Sequence, residues 1–273
     1  MLRLGFSPCP NDTFIFYALA NGKVDPGDLR FAFVIEDVET LNQLALRREI
    51  EISKVSCHAY VHLEDDYRFL STGGAFGRGC GPLVVSDTCR LMDDLAGKRV
   101  AIPGQLTTAF LLLRLYFRSS GCGEPASYVA MPFHEIMAAV RGGACDAGLI
   151  IHESRFTYRD YGLHELLDLG DWWDRETGLP LPLGGIVAKR SLGDGVIGEI
   201  EHCIGSSVEY ADLHREELRW YVKKYSQELS DDVIDQHISL YVNRYSHDIG
   251  EEGRAALEEL MGRAHTLRKE LAR

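Results

Sequence analysis

Lys98-Arg99-Val100-Ala101-Ile102-Pro103-Gly104-Gln105-Leu106-Thr107-Thr108-Ala109-Phe110-Leu111-Leu112-Leu113 decides the fold. A short apolar run stops, a Pro-Gly turn follows, and a hydroxyl residue opens an apolar helical stretch. The same transition recurs at Leu2–Phe6 before Ser7–Thr13, at Ile50–Val55 before Ser56, and at Ala147–Ile151 before His152. In an open α/β sheet, ligands bind outside the carboxyl ends of the strands, where helix N-termini offer free backbone N–H groups. Four such tips meeting in one place suit an anionic, carboxylated small molecule, with one imidazole, His152, among them.

Outward from these tips the alternation continues. Phe31–Ile35 reads as a strand and Val38–Arg48 as a helix after Asp37. Leu83–Val85, Tyr128–Met131 and Ile186–Ala188 read as strands, and Pro132–Arg141 as a helix. Such alternation predicts parallel sheets with helical crossovers. Beyond Ala188 the pattern is helical, with Ser230-Asp231-Asp232 as an N-cap signal and Gly250 as a stop. Two α/β series and a helical tail predict two lobes. Residues 1–87 and 187–273 form the larger, discontinuous lobe, and residues 88–186 form the smaller, inserted one. The glycine-rich stretch Gly73–Gly81 and the Leu179–Gly185 segment lie close to the two crossings, where a hinge belongs.

The chain of 273 residues is 45% hydrophobic and carries a formal net charge of −12. That sign repels phosphate backbones and anionic lipid, so nucleic acid and membranes are excluded as expected partners. It also means that any anion site is built from local donors. The N-terminus lacks a secretory pattern, and no apolar run approaches the ~20 residues that span a bilayer. Seven cysteines without C-x-x-C spacing fit reduced thiols in a cytoplasm better than a disulfide framework or a thiolate zinc site.

Each candidate has a plainer reading beside it. Thr107-Thr108 is either an ordinary helix cap or a pair of hydroxyls that chelates a carboxylate. His152, at a strand tip, is either a general base or an imidazole satisfied at an element boundary. Glu153 and Arg155 pair with each other or with a ligand. His58 and His62 have helical i, i+4 spacing, but Ala59 stands where a zinc protease carries Glu, so a solvated face is the better reading. The glycine-rich stretch lacks the Gly-Lys-Ser/Thr ending of a phosphate loop. Trp172 and Trp173 read as packing.

Gly5-Phe6-Ser7-Pro8-Cys9-Pro10-Asn11-Asp12-Thr13-Phe14 resembles the opening of the 1,4-dihydroxy-6-naphthoate synthase family, of the futalosine route to menaquinone. Glu36–Asn42, Gly148–Tyr158 and Thr177–Gly184 are similar to the same family, and the likeness covers nearly the whole chain, weakening after about Gly250. The resemblance implies a two-lobed fold like that of type II periplasmic solute-binding proteins, with the ligand in the interlobe cleft. It implies a carbon–carbon lyase acting on cyclic dehypoxanthinyl-futalosine, without metal or organic cofactor. It carries the base to His152 and substrate contacts to Lys54-Val55-Ser56 and Thr107-Thr108. Ser7, Asn11 and Asp12 are further candidates for the cleft, and a homodimer is an open expectation. A chorismate dehydratase of the same pathway and a non-catalytic solute-binding protein are the alternatives.

Overall fold

The computed structural model describes residues 1–226 and 230–271. In chain order the first part runs β1 (Leu2–Phe6), α1 (Pro10–Ala20), β2 (Phe31–Ile35), α2 (Val38–Leu46), β3 (Ile52–Ser56), α3 (Cys57–Tyr60), β4 (Tyr67–Phe69) and β5 (Ala75–Gly77). The middle part is β6 (Leu83–Ser86), β7 (Arg99–Ile102), α4 (Thr108–Ser120), β8 (Ser127–Ala130), α5 (Ile136–Arg141), β9 (Ala147–Ile150), α6 (Ser154–Thr157), β10 (His164–Asp168) and α7 (Leu169–Thr177). It closes with β11 (Leu181–Lys189), α8 (Asp194–Leu213), α9 (Arg215–Tyr225), α10 (Asp231–Tyr241), α11 (Arg244–His247) and α12 (Gly250–Leu271).

The strands make two sheets, in the order β2-β1-β3-β11-β4, with β5 also on β11, and β10-β6-β9-β7-β8. Parallel pairing joins β1 to β2 and β3, and β7 to β8 and β9. Both sheets are mixed rather than parallel throughout. β11 runs antiparallel to β3, β4 and β5, and β6 runs antiparallel to β9 and β10. The chain changes sheet twice, and a strand that returns from the other sheet enters in the opposite direction.

The crossings also fall earlier than the sequence reading places them. Val84 and Val85 pair with Leu149 and Gly148, so Leu83–Ser86 belongs to the second sheet. Leu181 already pairs with Gly77, so β11 belongs to the first sheet from its beginning. The boundaries therefore lie between Gly77 and Leu83 and between Thr177 and Leu181, not at 87 and 187. Glycine is required at the first crossing by close packing. A Cβ on Gly81 would lie 2.1 Å from the Gly170 nitrogen. Arg155 clamps the same place, donating to the Gly81 carbonyl at 2.6 Å and to Asp168 at 2.6 Å. Arg155 thus pairs with Asp168, not with Glu153.

α1 is buried from Pro10 to Leu19, and beyond its polar first turn it is apolar on all sides, as a helix enclosed by others must be. It is sandwiched between the first sheet and the C-terminal helices α8, α9 and α10. Ser207 of α8 fastens it, donating to the Ile15 carbonyl at 2.6 Å and accepting from the Leu19 N–H at 3.1 Å. This packing carries α10 up to the loop between β1 and α1, which bears directly on the site. Among the described residues, no helix is long and apolar enough to cross a membrane.

Candidate active site

A cavity lies between the two sheets. Ser7, Asn11, Asp12, Lys54, Val55, Ser56, Thr107, Thr108 and His152, all nine sequence candidates, line it. They come from both sheets: the β1–α1 turn and the end of β3 on one side, the start of α4 and the end of β9 on the other. Leu183 and Gly184 of β11, Cys80 and Pro82 of the first crossing, and Tyr241 of α10 complete the wall. The nine candidates lie at or just past strand ends, where the backbone turns toward the gap, as the recurrent strand-to-helix transition requires.

The base of the cavity is a charge network. The Lys54 ammonium lies 3.0 Å from Asp12 and donates to the Gly73 carbonyl at 2.9 Å. Asp12 accepts further bonds from the Ser7 hydroxyl at 2.7 Å, the Ser7 N–H at 3.1 Å and the Asn11 amide at 2.9 Å. Lys54 is therefore a neutralised structural cation rather than the unopposed positive charge that an acidic protein would offer an anion. The requirement that buried charges be paired explains this arrangement.

The threonine pair is likewise committed to the fold. Thr107 caps α4: its hydroxyl accepts from the Phe110 N–H at 3.2 Å and donates to the Gly104 carbonyl at 2.8 Å. The Thr108 hydroxyl donates to the Leu183 carbonyl at 2.7 Å and accepts from the His58 N–H at 3.2 Å. What this helix start presents to an anion is backbone: the N–H groups of Thr108 and Ala109 have no intrahelical acceptor by position. Ser56 adds a hydroxyl. Asn42 donates to its oxygen at 3.2 Å and accepts from its N–H at 2.9 Å, which leaves the Ser56 hydroxyl proton for a ligand.

His152 follows β9 with φ of +57°, a left-handed conformation uncommon for residues with a Cβ. The turn aims its ring into the cavity between Phe133, at 5.0 Å and 64°, and His237, at 6.2 Å and 26°. Burial lowers its pKa from the ordinary 6.5 to about 4; Asp12 and Asp37 oppose this and Lys54 adds to it. The imidazole is thus neutral at physiological pH and has a free lone pair.

Cys9, His152 and Glu153 bring potential metal-ligating atoms within 4.8 Å of one another. Burial raises the Cys9 thiol well above its usual value, with the Glu153 carboxylate adding to the rise. Without a metal the thiol is then protonated at neutral pH. His58 departs from its reading as part of a solvated face. Its ring is part-buried, with Nδ1 3.3 Å from the Thr107 carbonyl, and burial lowers its pKa to about 4. Among the contributors that escaped the sequence reading are Tyr241 and His237. Both stand on α10, whose periodicity looks like ordinary core packing.

Residues 2–266 match the family described as menaquinone biosynthesis. A Streptomyces coelicolor protein named 1,4-dihydroxy-6-naphtoate synthase is 47% identical over 96% of this chain and 92% of its own length. A Thermus thermophilus protein of the same name is 49% identical over 96% of this chain and 93% of its own. Among solved structures, an Archaeoglobus fulgidus protein superposes with a TM-score of 0.89 at 40% identity, covering 97% of both chains. The periplasmic aliphatic sulphonate binding protein of Escherichia coli superposes with a TM-score of 0.69 at 13% identity, covering 98% of this chain and 87% of that one. That last likeness establishes the periplasmic-binding-protein-like fold.

Proposed function

The chain belongs to the menaquinone biosynthesis family, and we propose that it is the carbon–carbon lyase that converts cyclic dehypoxanthinyl-futalosine to 1,4-dihydroxy-6-naphthoate. The observation that carries this reading is a neutral imidazole, His152, aimed into a cavity walled by both sheets. The aromatic carboxylate of the substrate is bound by the α4 N-terminus and the Ser56 hydroxyl. His152 removes a hydroxyl proton from the sugar-derived part. The oxygen lone pair then forms a carbonyl as the adjacent carbon–carbon bond breaks, and the electron pair enters the bicyclic carbonyl system, which becomes an aromatic hydroquinone.

An imidazole with so low a pKa is a weak base, so proton removal proceeds in concert with bond cleavage rather than ahead of it. The imidazolium that forms is stabilised by Asp12 and Asp37, the two carboxylates that already oppose the depression of its pKa. General-base catalysis supplies roughly 10²–10⁴ in rate, and positioning in a water-poor cleft supplies much of the remainder. No electrons leave the substrate, so the reaction needs no redox cofactor.

Separate incubations with cyclic dehypoxanthinyl-futalosine and with chorismate, followed by mass spectrometry, test the proposal. Formation of 1,4-dihydroxy-6-naphthoate from the first alone is expected. Dehydration of chorismate would assign the sister reaction instead, and tight binding without any product would make the protein a solute-binding module.

A further inference from the structure

His237 is fully buried in α10 and does not line the cavity, yet its ring flanks that of His152. Its ring lies 6.2 Å from that of His152 and 26° from parallel, and Tyr241 supports it from its own helix at 4.5 Å. Its Nε2 is 3.0 Å from the Asn11 side-chain oxygen.

The proton on that imidazole is fixed by a chain of bonds that starts at Lys54. Lys54 pairs with the Asp12 carboxylate, which only accepts. The Asn11 amide nitrogen therefore turns toward Asp12, at 2.9 Å, and its oxygen turns toward His237. An oxygen there demands a donor, so Nε2 carries the hydrogen and Nδ1 carries the lone pair. Among the described residues Nδ1 has no hydrogen-bond partner, and it lies 4.0 Å from a Glu153 carboxylate oxygen.

We propose that His237 is a positioning residue for His152: held as the Nε2–H tautomer by Asn11, it sets the plane of the base's ring and keeps water from its inner face. The inference rests on the reading of His152 as the base. The groups that face His152 are Asp12 of α1, Lys54 of β3, Asp37 ahead of α2, Cys9 and Glu153 beside it, and His237 of α10. Burial pushes His237 well below its ordinary value, and a proton on either imidazole disfavours a proton on the other. Hence the pair takes up one proton at a time, and the one facing substrate receives it.

Two variants separate the ring of His237 from its hydrogen-bonding atoms. His237→Phe keeps a ring against His152 and keeps water out, whereas His237→Asn keeps an amide donor but removes the ring. In His237→Asn, kcat is expected to fall about tenfold or more with KM within about threefold, because a ring 1 Å out of place forfeits such factors. Its His152 titration, followed by NMR, is expected to rise from about 4 toward 6.5 as water reaches the ring, carrying the acid limb of the kcat/KM profile with it. His237→Phe is expected to retain most of kcat and the wild-type His152 titration. An unmoved titration and kcat in His237→Asn would overturn the proposal, as would a His237→Phe variant as impaired as His237→Asn. The NMR titration needs no turnover, so it decides the role of His237 even if the lyase assignment fails.

Discussion

Lys54 and Asp12 form an ion pair at 3.0 Å with side chains only 6% and 2% exposed, at the floor of the cavity between the two sheets. The pair joins β3 to α1 and orients Ser7, Asn11 and, through Asn11, His237. One buried pair thus organises several of the residues that face a ligand.

Breaking this pair on one side should be costly. Lys54→Met leaves the Asp12 carboxylate buried without its cation, and a loss of ~3–5 kcal/mol in stability is expected. The double variant Lys54→Met/Asp12→Asn should recover part of that loss, because no charge then remains uncompensated. Urea denaturation of the three proteins checks this. Equal losses in the single and double variants would mean that the charges do not interact.

Removal of the imidazole should abolish turnover and leave the fold. His152→Ala is expected to lower kcat by at least about 10², with little change in KM or in circular dichroism. With the His152 pKa at about 4, wild-type kcat/KM should hold through neutral pH and fall only as pH drops through about 4. Near-wild-type turnover in the variant would remove His152 from the role of base.

Stability should also decline in acid. His152 and His58 both have pKa values lowered from 6.5 to about 4 by burial. Between those values the unfolded chain binds protons that the folded chain refuses. Stability is therefore lost as pH falls from about 6.5 to about 4, by up to about 3 kcal/mol for each histidine. His62 and His237 are lowered in the same direction and add to the slope. Urea unfolding at pH 7, 5.5 and 4.5 should give that slope, and His58→Asn should flatten it by removing one contributor. An unchanged slope in the variant would exclude His58 as a contributor.

Thr107→Val should act on the fold more than on the ligand. The hydroxyl caps α4 and does not point a free donor at the cavity, so about 1 kcal/mol of stability should be lost. Thr107→Ser should restore it. Thermal unfolding alongside steady-state kinetics distinguishes the two roles, and a KM rise of tenfold or more at unchanged stability would return the hydroxyl to substrate binding.

The strand-to-helix transitions were legible because a cap and the apolar run beside it are encoded within a few neighbouring residues. The nine candidates at those transitions all line one cavity, since strand tips of such a fold point to a common gap. Sheet membership was not legible in the same way. Leu83–Ser86 reads as a strand locally, but only its pairing with Gly148–Ile150 on one side and His164–Asp168 on the other places it in the second sheet.

The chain's own letters determined the alternation of elements, the carboxyl-end location of the cavity and the presence of His152 at a strand end. Only the tertiary structure decided that Lys54 is neutralised by Asp12, that both threonine hydroxyls are spent on the fold, and that His237 flanks His152. Capping and periodicity are local energies, read from adjacent residues. Charge pairing and ring stacking join segments remote in the chain, and their partners exist only once packing has brought α1, β3 and α10 together.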